Sequence, residues 1–269
     1  MVERTGETVR LDRALVERSL ARSRGHARDL VLSGAVRLGE QVIRRPSHAV
    51  RSEDRLDVAA GPVWVGRGAE KLVAALERWQ HDGLKVRDAA CVDVGASTGG
   101  FTQALLCAGA RSVVAVDVGS GQLVEPIRDD PRVTELSGRH VLTVTNGEVD
   151  APVDLVVVDV SFISLTALLG HLAGWLAPGS EMIVLVKPQF EVGRGGTSRR
   201  GIVTSAARRA GAVRRVIDAA YEAGLSVHDA MSSPLVGARG NREYLLRLAP
   251  HQPGMMDRAR ALRLAETLT

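Results

Sequence analysis

Apolar positions recur along this chain with one rhythm up to about residue 58 and another beyond it. Leu11, Leu15, Val16 and Leu20 follow at helical spacing, with Asp12 as the expected helix cap, and Ala27, Leu30 and Val31 repeat the pattern after a start signal at Ser23. From Gly34 to Val58 apolar and polar residues alternate between Gly and Pro, which predicts short strands at Ala35–Leu38, Gln41–Ile43 and Arg55–Val58. Residues 1–58 therefore predict a small α+β unit of two helices and a sheet.

The small-residue stretch AAGPVWVGRG, with Pro62 and the first aromatic residue, Trp64, marks a linker over residues 59–67. Over residues 68–250 strand and helix patterns then take turns. Strands are expected at Ala90–Val94, Ser112–Asp117, near Val133, Leu155–Val158, Met182–Val186, and near Val227 and Leu245. Helices are expected at Glu70–Trp79, Gly99–Cys107, Ser164–Leu176 and Ala206–Ala223. Such alternation predicts an α/β domain with a mostly parallel seven-stranded sheet covered by helices on both faces. Residues 251–269 form a tail with a short extra helix.

Composition narrows the class. The 269 residues are 45% hydrophobic and 25% charged, which suits a globular protein. No apolar run approaches the roughly 18 residues of a membrane span, and the polar opening MVERTGETVR lacks a signal segment, so a cytoplasmic protein without membrane contact is expected. Cys91 and Cys107 fall in a predicted strand and helix as small core residues, with no metal or disulfide framework. Between Arg10 and Arg51 ten arginines face four carboxylates, a local surplus that suits a polyanion. Lysine is scarce: Lys71, Lys85 and Lys187 stand among 35 basic residues. Where lysine is retained against arginine, a compact ammonium able to give up its proton is the chemical difference.

In an open parallel sheet, ligands sit beyond the carboxyl ends of the central strands. The first strand ends in VDVGASTGGFT, so Asp93, Gly95, Ala96, Ser97, Thr98, Gly99, Gly100 and Phe101 form a glycine-rich loop opening a helix, whose free N–H groups suit a carboxylate. The second strand ends in Asp117, placed as an acid that receives ribose hydroxyls. The absence of GK[ST] argues against an NTP loop, and GASTGG is not a dinucleotide G-x-G-x-x-G.

Two resemblances follow from longer stretches. The order RLDRALVERSLARSRGHARDLVLSGAVRLGEQVI resembles the alpha-L RNA-binding domain of a ribosomal protein and tyrosyl-tRNA synthetase. That implies RNA phosphate contact by Arg10, Arg13, Arg22, Arg24 and Arg28. Residues 1–60 contain no Phe, Tyr or Trp, so this unit is expected to read phosphate position and RNA shape rather than to stack bases. Further on, WVGRGAEKL (64–72), DVGASTGGFT (93–102), VDVSFISL (158–165), VKPQFEVG (186–193) and GNREYLL (240–246) resemble the TlyA family of ribosomal RNA ribose methyltransferases, relatives of the FtsJ type. With the first resemblance, residues 8–248 are spanned.

The resemblance implies a class I, Rossmann-like methyltransferase domain, S-adenosyl-L-methionine as cofactor, and a monomer acting on cytidine of ribosomal RNA within ribosomal subunits. A role in capreomycin sensitivity follows from the same likeness. It implies cofactor contacts from the 93–101 loop, Asp117, His140 and Asp159, and a catalytic set of Lys71, Asp159, Lys187 and Glu243. Arg139–His140 stands where the family commonly has Thr-Asn. Further RNA contacts are expected from Arg67, Arg194 and Arg199. A ribose 2'-hydroxyl is a weak nucleophile, so methyl transfer needs it aligned and its proton accepted, with Lys187 the expected base. The residues leave other readings open: Asp159 and Lys187 as a structural ion pair, an RNA-binding protein without catalysis, or a haemolysin-like membrane-active protein.

Overall fold

The computed structural model describes residues 8–21, 23–32, 34–58, 64–193, 195–237, 239–252 and 255–269. The chain divides into two compact units, Met1–Arg67 and Gly68–Thr269.

In the first unit, β1 (Thr8–Arg10) leads into α1 (Leu11–Glu17) and α2 (Arg24–Leu32), followed by β2 (Val36–Leu38), β3 (Gln41–Val42), β4 (Ala49–Arg51) and β5 (Leu56–Val58). β2 pairs antiparallel with β3 and β5, while β1 pairs with β4. Leu11, Leu15, Ala27, Val31, Val36 and Val50 make a fully enclosed aliphatic core. Asp12 is not the cap of α1. The β1–β4 pairing brings the backbone carbonyls of His48 and Pro46 to the Leu11 and Asp12 amides (2.8 and 3.0 Å), so the helix start is satisfied by backbone. Asp12 instead lies in the first turn, 5% exposed, where it receives a two-pronged bond from Arg10.

The second unit runs α3 (Gly68–Trp79), β6 (Ala90–Val94), α4 (Gly100–Cys107), β7 (Ser112–Asp117), α5 (Glu125–Arg128), β8 (Val133–Ser137), β9 (Val153–Val158), α6 (Leu169–Ala173), β10 (Leu176–Val186), α7 (Pro188–Glu191), α8 (Ala206–Glu222), β11 (Leu225–Ser232), β12 (Tyr244–Pro250) and α9 (Arg258–Leu268). Its seven strands lie in the order β11-β12-β10-β9-β6-β7-β8, parallel except for β12, which is antiparallel to both neighbours. The central strands are rich in buried valine and leucine because both faces are covered. Strand order reverses between β6 and β9, which locates the ligand crevice beyond Val94 and Val158.

The segment expected as one helix over 164–176 is a 3₁₀ turn at Leu165–Ala167, then the short α6, and Leu176 already belongs to β10. Leu165, Leu168, Leu169 and Leu172 all face the core, and that spacing is met by a 3₁₀ turn followed by one α turn as well as by a continuous helix. β10 is longer than expected because Leu176 pairs with Val153 before an irregularity that spans Pro178 and Gly179. Cys91 is buried as expected, whereas Cys107, last in α4, is exposed. The tail helix α9 packs Ala261 and Ala265 into the main core, and Arg209 donates to the Thr269 carbonyl (3.1 Å).

Trp79 ends α3, fully buried, and its indole N–H donates to Asp229 Oδ2 on β11 (2.8 Å), as does Arg78 Nε (3.0 Å). Burial pushes the Asp229 carboxyl up, yet the Trp79 indole, the Ala230 amide and Arg78 together hold it below the usual carboxylate range. A carboxyl lowered on folding stabilises above its unfolded pKa, about 3.9, and loses that contribution as pH falls through the folded value. Trp79→Phe keeps the ring and removes the donor. The variant is expected to lose about 2 kcal/mol at pH 7, the worth of a hydrogen bond to a charge. Chemical denaturation at pH 7 and near pH 3 checks this, with the deficit shrinking at the lower pH.

Candidate active site

Ladder register delivers three ionisable groups to neighbouring strand ends. Val184 of β10 lies beside Val158 of β9, and Val186 lies opposite Tyr244 of β12. Asp159 and Lys187 therefore leave adjacent strands at the same edge, and Glu243 enters β12 beside them.

Lys187 Nζ lies 2.6 Å from Asp159 Oδ1 and donates a hydrogen bond to Ser161 Oγ (2.9 Å). The approach to Asp159 is off the hydrogen-bonding direction, so Coulomb attraction rather than a directed bond holds that contact. Lys71, on the first turns of α3, is 8% exposed and donates to Glu243 Oε2 (2.5 Å). The start of α3 abuts Asp159, since a Cβ on Gly68 would sit 3.6 Å from Asp159 Oδ2. Lys71 is one turn further along that helix. Gly237 lies so close to Glu243 Oε1 that a side chain there would collide with the carboxylate. The fold thus brings Lys71, Asp159, Lys187 and Glu243 together as two ion pairs.

Beside them opens a cleft of about 570 Å³, within the usual small-molecule range of roughly 300–1,000 Å³. Among the expected cofactor residues, Gly95, Ser97, Asp117, His140 and Asp159 line it. Gly95 takes a left-handed φ of 87° and presses on the Asp159 carbonyl, a position no side chain could share. Asp117 accepts the Ser97 amide (2.8 Å) and the Gly119 amide (2.7 Å), one on each carboxylate oxygen, which aims the group at the cleft. His140 uses Nδ1 to accept the Leu142 amide (3.3 Å) and is itself exposed.

The rest of the loop serves from behind. Ala96, Gly99, Gly100 and Phe101 are buried and Thr98 is exposed. Asp93 is fully buried beneath the loop, bonded to Thr102 Oγ1 (2.6 Å). Its carboxyl is pushed up to about 7, by burial first, with the negative charges of Asp159 and Asp117 adding to the rise and Thr102 opposing it.

The sequence assigns Phe162, within VDVSFISL, no role of its own. In the structure it lines the cleft, 91% exposed, with a left-handed φ of 66°. That backbone state costs an aromatic residue on the order of 1–3 kcal/mol, a strain characteristic of functional positions. Its ring lies 5.2 Å from that of Phe190 at 52°.

Of the expected RNA contacts, Arg22 and Arg194 lie outside the described residues. Arg10 and Arg24 share Asp12 (2.8 and 3.6 Å) while remaining 53% and 68% exposed, so the acid orients them with outer faces in solvent. Arg13 pairs with Glu17 (2.6 Å), and Arg28, Arg67 and Arg199 are exposed. Among the described residues no group of His, Cys, Asp and Glu could hold a metal, and no helix is long and apolar enough to cross a membrane.

Residues 64–249 match the FtsJ-like methyltransferase family and residues 9–56 match the S4 domain. The chain is 44% identical over 239 residues to the 16S/23S rRNA (cytidine-2'-O)-methyltransferase TlyA of Mycobacterium tuberculosis, covering 88% of each chain. It is 34% identical to Hemolysin A of Brachyspira hyodysenteriae, covering 88% of this chain and 98% of that one. A solved structure of a hemolysin-designated protein from Streptococcus thermophilus superposes with a TM-score of 0.69 at 31% identity, over 97% of this chain and 96% of that one. A parallel sheet with an acid at each of three central strand ends, preceded by an S4 domain and matched along nearly its whole length by these relatives, places the chain in the TlyA family of FtsJ-like methyltransferases.

Proposed function

We propose that this protein methylates the ribose 2'-oxygen of a cytidine in ribosomal RNA, with Lys187 accepting the hydroxyl proton. The observation that carries the reading is the Lys187 ammonium held between Asp159 and Ser161, both of which line the cleft. The substrate class is supported by the name of the M. tuberculosis relative and by the S4 match.

The residues present fit S-adenosyl-L-methionine. Asp117 and Asp159 line the cleft, and after burial their negative charges add to the rise of the Asp93 carboxyl beneath them, a repulsion that a cationic ligand would relieve. When bound, the cofactor supplies the methyl group from a sulfonium cation. Asp117 would take its ribose hydroxyls, the Gly95–Ser97 turn its amino-acid end, and the stretch around His140 and Val141 its adenine.

On the acceptor side, Asp159 faces both Lys187 and the cleft, so a cation in the cleft competes for the carboxylate that holds the ammonium. An ammonium has no lone pair, so the group must first release a proton to solvent; the neutral amine is then placed to take the 2'-hydroxyl proton as the oxygen attacks. Ser161 fixes the amine's direction, and Lys71 with Glu243 forms a second, deeper pair that sets the electrostatics behind it. Phe162, exposed beside the cleft, offers a face for stacking the base of an unpaired target nucleotide. Residues 1–60 contain no Phe, Tyr or Trp and contribute phosphate contacts through their arginines.

Two measurements test this. Lys187→Arg keeps the charge and loses proton acceptance. It is expected to lower 2'-O-methylcytidine formation in ribosomal RNA on the order of 10²–10⁴-fold, as read by mass spectrometry of RNA digests, with cofactor affinity nearly unchanged. Methylation at the normal rate in that variant, or none with the wild-type protein, overturns the reading. Asp117→Ala removes the acceptor for the ribose hydroxyls. Isothermal titration is expected to show S-adenosyl-L-methionine binding weakened by about tenfold or more, with RNA affinity retained.

A further inference from the structure

Residues 161–165 and 187–191 leave adjacent parallel strands, and three contacts fasten one segment to the other. Lys187 reaches Ser161, and the Phe190 ring meets that of Phe162. Glu191 closes the far end, accepting the Ser164 hydroxyl on Oε2 (2.5 Å) and the Leu165 amide on Oε1 (2.9 Å).

The third contact differs in kind. Ser161 and Phe162 are exposed, whereas Glu191 is 7% exposed and both of its oxygens are engaged. Burial raises its carboxyl above the ordinary range, while the Ser164 and Leu165 donors and the charge of Arg215 favour the ionised form. Ser164 is also the cap of the 3₁₀ turn, its Oγ accepting the Thr166 amide (3.2 Å), so Glu191 holds the hydroxyl that starts that turn. The elements joined are α7, four residues long, and a single 3₁₀ turn. Helical pieces that short do not hold their geometry by their own hydrogen bonds.

We infer that Glu191 is a positioning residue for methyl transfer, clasping the turn that carries Ser161 and Phe162 to the turn that carries Lys187. The inference rests on Lys187 as the proton acceptor. Glu191 does not line the cleft, so it acts by fixing where the amine and the aromatic face stand relative to each other. Misplacing a reacting group by about 1 Å costs on the order of a hundredfold.

Glu191→Ala is expected to lower kcat by on the order of a hundredfold, with the Kd for S-adenosyl-L-methionine and the KM for ribosomal RNA within about threefold of wild type. Glu191→Gln still accepts the Leu165 amide and can donate to Ser164 Oγ, so it is expected to recover most of kcat. Removal of a buried carboxylate can unfold the domain, so Ser164→Ala serves as the gentler variant. It deletes one hydroxyl, and about a tenfold loss of kcat is expected with Tm lowered by only a few degrees. Wild-type kcat in both alanine variants overturns the inference, as does a loss that only tracks lost folded protein or lost cofactor affinity. Lys187→Arg in the same assay separates the two ideas. An inactive Lys187→Arg with unimpaired Glu191 and Ser164 variants defeats the clasp alone, whereas a fully active Lys187→Arg defeats both.

Discussion

Strand register across β9, β10 and β12 is the constraint on which the site depends. Side chains alternate between the two buried faces of this sheet, so a slip of one residue would force each set into the packing of the opposite face. Val156, Val158, Met182, Val184, Val186, Tyr244, Leu246 and Leu248 all lie in one buried cluster, and their burial makes such a slip prohibitive. Burying a Val or Leu side chain is worth about 1.5–3 kcal/mol, so these positions together outweigh any single polar contact. Asp159, Lys187 and Glu243 are the next residues along those strands. Their proximity is thus fixed by hydrophobic packing, and the charges need only tolerate the place they are given.

That place is electrically demanding. Two ammonium groups and two carboxylates sit with little solvent, and Lys71–Glu243 is the more enclosed pair, at 10% and 3% side-chain exposure. Deleting one member of such a pair strands the other, at a cost of about 3–5 kcal/mol. Lys187–Asp159 is partly open, at 11% and 19%, and shares its carboxylate with a cleft. The deeper pair is suited to constancy and the shallower to change of partner. Asp93 adds a third acid below, pushed up to about 7 by burial first, with the charges of Asp159 and Asp117 adding to the rise.

Much of this was legible in the sequence because α/β alternation is written in apolar runs of strand length between helical patterns. All seven strands of the large sheet, the acids at their ends and a bridge between Lys187 and Asp159 could be anticipated, whereas Lys71 and Glu243 joined them only through the family resemblance. Features decided by backbone contacts between distant segments could not. Asp12 carries every local sign of a cap, but β4 and the turn before it supply carbonyls to the helix start from residues 46 and 48. Leu165 to Leu172 have helical spacing whether the backbone is 3₁₀ or α. Cys107 is an apolar-looking residue at a helix end, where no pattern of spacing reports that the core has stopped. Phe162 was invisible as a feature because its left-handed backbone and exposure arise from the turn after β9, while its residue type suggests burial.

The contrast between what was legible and what was not follows a physical division within the site. Groups on strand ends inherit their precision from a ladder of backbone hydrogen bonds and a packed core, and their neighbours can be read from strand order. Groups on the one-turn segments beyond the strands inherit nothing of the kind. Ser161, Phe162 and Phe190 stand on segments of three to five residues, with too few internal bonds to resist rotation. Such segments keep a strained φ only when surrounding contacts over-determine it. A buried carboxylate spanning both turns supplies that constraint with two directed bonds, where an apolar contact would permit sliding. Glu191, four residues past Lys187 within the same motif, is therefore as much a part of the site's geometry as the strands that precede it.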